Sequence, residues 1–369
     1  MLVRLALRNL FQSPPRLLIG VGGIGLAALL ILTIEGIYAG ATRQATTYMD
    51  NTGFDLVVSQ EGVRSFHMSS SQFPAAYVEL IRATEGVAEA DPILYETTFL
   101  IADDERSIAY LIGYRRGDNG GPWARAEGDE HPAPGEILID EQLARDVGVG
   151  IGDEVTAAGT TFRIGGLSRG AVTVLNSIAF VRFADLEQAR GLQDRVSFVL
   201  VDLESGADAE EVADALRRQL DGVTVQTRSR FAAEERQVVA DVSIDLMRMM
   251  VSVALLIGLA VTGLTAYTAT LSKLPEYGLL KAVGAPSRSL FGTVLAQTAI
   301  AAALGAGLGL AGAAVVQYAL RETASGIPMA LEAGTVARVL AAAAGVALAA
   351  AVVPIARVAA IDPAEVFRR

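Results

Sequence analysis

Four long apolar runs interrupt this chain, and one extended block of mixed polarity separates the first run from the other three. The runs, at 17–40, 246–271, 290–320 and 336–358, each reach the roughly 20 residues that a helix needs to cross a bilayer. They predict a multi-pass α-helical membrane protein with four spans in a 1+3 arrangement. Inside the block, 41–245, the period shortens and alternates. Strands are predicted at 54–59, 93–101, 106–114, 136–140, 195–203 and 222–227, with a glycine-punctuated pair over 153–167. Helices are predicted at 75–84, 141–147 and 207–220, and a helical approach to the second span begins near Ser229. This pattern predicts an α+β domain split by a β-rich insert at about 131–190. A short loop, 321–335, joins the last two spans.

Charge sorts these pieces across the membrane, because short cytoplasmic segments are enriched in Lys and Arg. Arg4, Arg8, Arg16, Lys273, Lys281, Arg288, Arg368 and Arg369 lie in the arm 1–16, the loop 272–289 and the tail 359–369, and Arg357 lies at the end of the last run just before that tail; together they face only Glu276, Asp362 and Glu365. The block 41–245 instead holds 18 of the 30 basic and 35 of the 41 acidic residues. Both termini are therefore expected in the cytoplasm, with the large domain outside the cell membrane. The mean hydropathy of +0.41 agrees with a multi-pass membrane protein that carries one soluble domain. With no Cys there is no disulfide or thiolate chemistry. His67 and His131 form no metal-binding spacing, so no metal and no bound cofactor is expected. The acidic external domain argues against nucleic acid. The runs at 103–105 and 129–130 are expected to be solvated loops.

Two cytoplasmic pieces have recognisable form. The arm 1–16 places Arg4, Arg8 and Gln12 at spacing four, with Leu2, Leu5, Ala6, Leu10 and Phe11 on the remaining faces, as in an interfacial helix that ends at Pro14 and Pro15. The loop after the second span contains the only two lysines of the chain, Lys273 and Lys281. Pro275 and Glu276 suit the first turn of a short separate helix, Lys281 its last turn, and Gly284 and Pro286 its end. Neither lysine follows a glycine, so the chain lacks the Gly-Lys-Ser/Thr end of a phosphate-cradling loop, and catalysis is not expected here.

Three motifs carry a resemblance. They are Glu276-Tyr-Gly-Leu-Leu-Lys-Ala-Val-Gly-Ala285, the closing Ile361-Asp-Pro-Ala-Glu-Val-Phe-Arg368, and the external set Gly135–Ala144, Val149–Val155 and Phe162–Leu167. With the 1+3 order, they resemble permease subunits of MacB/FtsX-type ABC transporters, the type VII or mechanotransmission systems. Tyr110–Tyr114 with Gly120-Gly-Pro122 is similar to the branch of DevC-like and HrtB-like exporters of haem or other amphiphiles. The resemblance implies a MacB-like periplasmic domain, a homodimer of permeases, and two copies of a separate cytoplasmic ATPase that uses ATP and Mg. It also implies that Pro275, Glu276, Tyr277, Leu279, Leu280, Lys281, Val283, Gly284 and Ala285 form the ATPase-coupling surface.

The substrate side has thinner markers. Glu35 lies roughly 27 Å along the first span from Leu17 at 1.5 Å per residue, near the outer interface. Tyr38 is one turn further, and Met247 and Met250 open the second span at similar depth. With His67 and Met68 they would line a lateral pocket for haem or another flat amphiphile. The alternative for Glu35 is plain contact with lipid headgroups, and for the methionines plain packing. Gly305, Gly309 and Gly312 fit either close packing within one subunit or a dimer contact. Three functions stay open: export of an amphiphile, an FtsX-like relay of ATPase motion to an external protein partner, and a membrane receptor without an ATPase.

Overall fold

A computed structural model describes residues 12, 14–66, 70–102, 105–172, 177–322 and 327–360. In chain order the described elements are α1 (Pro14–Ala45), α2 (Thr47–Thr52), β1 (Leu56–Gln60), β2 (Phe73–Pro74), α3 (Tyr77–Arg82), β3 (Val87–Ala102), β4 (Glu105–Tyr114), β5 (Arg125–Gly128), β6 (Glu136–Asp140) and α4 (Glu141–Val147). They continue with β7 (Glu154–Ala157), β8 (Thr160–Ser168), β9 (Ser177–Arg182), α5 (Phe183–Arg190), β10 (Arg195–Val196), β11 (Phe198–Leu203), α6 (Ala209–Gln219), β12 (Val223–Thr227), α7 (Arg228–Ala282), α8 (Ser287–Glu322) and α9 (Ala333–Ala359). The chain divides into two units, 1–40 with 243–369, and 41–242. The arm expected at 1–16, His67 and Met68, part of the acidic run at 103–105, and the closing motif at 361–368 lie wholly or mostly outside the described residues.

The first unit carries the four apolar helical stretches, Leu17–Ala45, Met247–Ala282, Ser287–Glu322 and Ala333–Ala359. Pro14 and Pro15 start α1 at the one place in a helix where a missing amide donor costs nothing. In lipid there is no water to drive apolar faces together, so spans associate by close packing and favour small residues where backbones approach. The first span is the hub of that packing: 39% of its most apolar window is buried, against 17–28% for the others. A β-carbon built at Gly305 would stand 2.6 Å from Ile24 Cβ, and one at Gly309 would stand 2.6 Å from Ala28 Cβ and 2.7 Å from the Gly25 carbonyl. The glycine stripe of α8 therefore packs against α1 of the same subunit. Gly20 meets Thr265 and Gly258 meets Ala27, which brings α7 against α1 in the same way. The threonines here are satisfied locally: Thr262 and Thr298 donate to the carbonyls four residues back, at 2.6 and 3.0 Å.

The second unit is built on one ten-stranded sheet in the order β12-β1-β11-β3-β4-β9-β6-β8-β5, with β7 pairing β3 and β8. Strand alternation assigns its two faces. Leu56, Val58, Leu94, Leu111, Ile137, Ile139, Val181, Val199 and Val201 share one core with Val78, Ile81, Leu143, Leu186, Val212 and Leu216, so α3, α4, α5 and α6 cover that face. Val57, Ile93, Tyr95, Tyr110, Leu138, Phe180 and Phe198 point the other way, into a core shared with Tyr48, Met49, Phe66 and Phe231. Phe66 sits at its centre, with ring centroids 4.7 Å from Phe198, 4.9 Å from Phe231 and 5.4 Å from Tyr95.

The β-rich insert expected at about 131–190 is built into the domain's large sheet. Its strands β6, β8 and β9 extend the same sheet, through a parallel β4–β9 pair, and its side chains enter both cores. Local alternation marks a strand but not which strand it pairs with. The external motif is explained by the local geometry. Asp140 caps α4 through the Gln142 amide at 2.8 Å and accepts from the Ala171 amide at 2.8 Å, Asp153 accepts from the Gly150 amide at 2.8 Å, and Arg163 pairs with the buried Glu136. The sequence reading missed α2, β2, β5, β9 and α5.

Acidic groups gather beside β3 and β11, where Glu89, Asp91 and Asp202 lie close together. Asn119 donates from its backbone to Asp91 at 2.8 Å and from its side chain to Asp202 at 2.6 Å. Burial, followed by the charge of Asp91, pushes the Asp118 carboxyl up to about 6. Because that pKa is raised on folding, the folded protein holds this proton more tightly than the unfolded chain between roughly pH 4 and 6. Its contribution is present below the unfolded value and is lost as pH rises through about 6. Melting of the full-length protein across pH 4 to 8 should show Asp118→Asn more stable than wild type at pH 7 to 8, with the difference vanishing near pH 4. A second expectation concerns the span contact: Gly309→Ile should lower stability by about 1–3 kcal/mol through overpacking. Gly307→Ala, whose β-carbon meets nothing within 4 Å, should leave the melting temperature unchanged.

Candidate functional site

Residues 275–282 belong to the end of α7, not to a separate helix, and 283–285 form the turn that ends it. The helix expected to begin at Pro275 begins instead at Arg228 and contains Pro275 in its interior. Its apolar stretch of 36 residues would extend about 54 Å, against about 30 Å of hydrocarbon, so one helix is long enough to span a bilayer and extend beyond it. Proline removes one amide donor but fits helical φ, and Lys273 straddles it by donating from Nζ to Glu276 Oε1 at 2.7 Å. The same Nζ donates to Gln12 Oε1 at 2.7 Å.

The end of α7 is capped as the sequence predicted. Gly284 has φ +96°, the Ala285 amide donates to the Leu280 carbonyl at 2.9 Å, and the Gly284 amide donates to the Lys281 carbonyl at 3.1 Å. Lys281, in the last turn, donates to the Ala359 carbonyl at 3.2 Å. Within this segment the side chains split by burial. Tyr277 is only 1% exposed and packs with Leu290, Val294 and Val358, backed by Phe291 and Ile355. It is an anchor to α8 and α9 and is not part of the exposed surface of this segment. Pro275, Glu276, Leu279, Leu280, Val283 and Gly284 are exposed, Val283 by 82%, while Lys281 and Ala285 are half-buried. The exposed apolar side chains form a patch held rigidly from behind.

At the other end of the spans, Glu35 is paired. Arg338 Nη2 on α9 donates to Glu35 Oε2 at 2.8 Å and to Thr335 Oγ1 at 3.1 Å. The carboxylate is 21% exposed and the guanidinium side chain 67%. The sequence reading singled out Glu35 without this partner. The available signal was Arg338 itself, an arginine within the first turn of an apolar run. The segment 327–332 is fixed beside the pair: the Ala330 amide donates to the Gly36 carbonyl at 2.9 Å, and Gln317 Nε2 donates to the Met329 carbonyl at 2.8 Å. A β-carbon at Gly40 would stand 2.6 Å from the Pro328 carbonyl oxygen, so the glycines of α1 admit this backbone. Tyr38 and Met247 are half-buried and Met250 is exposed; His67 and Met68 lie outside the described residues. Two cavities among the spans, one lined by Gly20, Thr262, Thr265, Gln297 and Thr298 and one by Ile31, Ala254 and Val339, measure about 50 and 30 Å³.

Comparisons with known proteins match the two halves of the chain separately. The MacB-like periplasmic core domain matches residues 18–219, and the FtsX-like permease C-terminal domain matches residues 248–363. An uncharacterised ABC transporter permease of Mycobacterium tuberculosis (strain ATCC 25618 / H37Rv) is 24% identical over 367 residues, 98% of each chain. Another, from Mycobacterium bovis, is 24% identical over 308 residues, 82% of this chain and 83% of the relative. Among solved structures, the extracellular domain of the noncanonic ABC-type transporter YknZ from Gram-positive bacteria aligns at 15% identity and TM-score 0.37, over 47% of this chain and all of that one. The periplasmic region of MacB from Actinobacillus actinomycetemcomitans aligns at 10% identity and TM-score 0.38, over 51% and 94%.

The ion pair at Glu35 sets a direct expectation. Arg338→Ala should destabilise the full-length protein in detergent by leaving a carboxylate unpaired at the edge of the apolar region. Adding Glu35→Ala should recover part of the loss. A double-mutant cycle on the melting midpoints should return a coupling of about 1 kcal/mol.

Proposed function

The chain belongs to the MacB/FtsX-type family of ABC transporter permeases, and from that premise we propose that it couples a separate cytoplasmic ATPase to export of a hydrophobic or amphiphilic substrate such as haem. The family implies the ATPase partner and the membrane, with the MacB-like domain on the extracytoplasmic side. The observation that carries the coupling assignment is the exposed patch Leu279, Leu280 and Val283 on a helix end whose Tyr277 is clamped between α8 and α9. An apolar patch of this kind needs a cover in water, and its rigid backing lets a push on it move the span instead of the side chain. In this reading two permeases and two ATPases assemble, both termini are cytoplasmic, and ATP and Mg are used by the partner.

The substrate is placed at the outer end of the first span, near Glu35, Tyr38, Met247 and Met250. Arg338 adds the feature that favours an anionic amphiphile: a guanidinium exposed over two-thirds of its surface beside an apolar helix. A relay to an external protein partner, without transport, is the second reading. The ion pair that already occupies Glu35 and Arg338 favours it.

Two measurements on the permease–ATPase complex in lipid nanodiscs test these readings. Val283→Asp should abolish co-purification of the ATPase while leaving the permease folded; retention of the ATPase would remove the patch from the interface. ATPase activity titrated with haem and other amphiphiles should rise for one ligand and respond less in Glu35→Ala and Arg338→Gln. Flat activity with every ligand, in a complex that still forms, would favour the relay.

A further inference from the structure

The external unit contains a cavity of about 520 Å³ at one edge of its sheet. Its position follows from topology. Strands β4 and β9 are adjacent and parallel, with Tyr114 opposite Arg182, so both chains leave the sheet at the same edge. Arg115 and Arg116 follow β4, while Phe183 and Ala184 follow β9 as the first turn of α5. Strand β6 is antiparallel to β9, so the residues before it, His131–Pro134, approach from that edge too. The crevice beyond the carboxyl ends of parallel strands is where open α/β sheets hold their ligands, and this volume lies in the range of small-molecule sites.

The lining contradicts the charge of the domain around it. Residues 41–245 carry 35 acidic and 18 basic groups, yet the cavity is lined by Arg115, Arg116, Arg182 and His131 and by no carboxylate. Arg182 is engaged by Asp185, through Nη2 at 2.7 Å and Nε at 3.0 Å. Arg115 and Arg116 form no ion pair among the described residues, and both are exposed. The Arg115 guanidinium lies 4.7 Å from the centroid of the Phe183 ring, which presents it as a flat fork. Opposing charges are near without lining the cavity. Glu130 acts on Tyr114, and Asp118 feels Arg115. Burial, with Glu130, holds the Tyr114 phenol above its ordinary value, so it stays protonated beside His131 Nδ1 at 3.1 Å.

We propose that this cavity binds a small organic oxyanion, a phosphate or carboxylate carried on a flat apolar body, with Arg115 and Arg116 on the anion and the Tyr114 and Phe183 rings beside the body. Guanidinium forks match both oxyanions in bidentate geometry, and the rings add apolar area that a bare inorganic ion cannot use. The site is separate from the substrate region proposed at Glu35 and Arg338, and its test needs no ATPase.

The test is isothermal titration calorimetry of the full-length permease in nanodiscs with phenyl phosphate, benzoate, inorganic phosphate and phenol. Saturable binding of phenyl phosphate or benzoate is expected, with inorganic phosphate weaker and phenol silent. The double variant Arg115→Gln/Arg116→Gln should weaken the bound oxyanion about tenfold or more with an unchanged melting temperature. Arg145→Gln, an exposed arginine on α4, should bind as wild type does. Absence of saturable binding by either aromatic oxyanion, or binding that survives in the double variant, would overturn the site. Inorganic phosphate binding as tightly as phenyl phosphate would overturn the ligand class.

Discussion

The membrane unit depends on how closely the first span is approached by its neighbours. Between helices in lipid no hydrophobic force distinguishes a neighbour from a lipid tail, so contact has to come from shape. Gly305 and Gly309 of α8 lie against Ile24, Gly25 and Ala28, and Gly20 and Ala27 meet Thr265 and Gly258 of α7. At the outer end, Gly36 and Gly40 admit the backbone of 328–330. At Gly20, Gly305, Gly309 and Gly40 a β-carbon would come within 3.0 Å of the neighbour, and at Gly36 and Gly258 it would stand at 3.1 Å, so glycines set how close these contacts are. The burial of the first span, larger than that of the other three, is the consequence.

The two ends of the spans are organised differently because their surroundings differ. At the end of α7 that carries Gly284 the helix is longer than a span requires and presents exposed side chains, and Tyr277 is the side chain that ties this end to α8 and α9. Its apolar face stays uncovered in the isolated chain, as suits a surface made for a partner. At the outer end, charge does the fastening. Glu35 and Arg338 pair at 2.8 Å, and the hydrogen bonds of Gly36 and Gln317 hold the adjoining segment.

The external unit follows the rules of a water-soluble domain. Its sheet buries aliphatic side chains against four helices on one face and aromatic side chains on the other. Antiparallel pairs dominate, and the two parallel pairs, β4–β9 and β6–β8, arise where the segment 131–190 rejoins the sheet. The parallel pairing of β4 and β9 creates the crevice at which arginines from distant parts of the sequence gather. Glu89, Asp91 and Asp202 form the acidic counterpart in the same unit, and burial, followed by the charge of Asp91, raises the Asp118 carboxyl beside them.

What the sequence determined by itself were features set by local composition. The four apolar runs, the glycine cap at Gly284 and strands such as β6 need only hydropathy, chain direction and residue type, and they stand in the structure with limits shifted by a few residues. The resemblance in residues 276–285 implies a coupling surface there but not which of its side chains are exposed, because burial of Tyr277 depends on Leu290 and Val358 from two other helices. Continuity of α7 through Pro275 also escaped the local pattern, since a proline after an apolar run reads equally as a start or an interior residue. Only the tertiary structure decided that Glu35 meets Arg338, that Gly309 meets Ala28, and that 131–190 joins the main sheet. Each of these is a contact between residues far apart along the chain, and pairing at that distance is set by the packing of whole elements, which residue spacing does not encode.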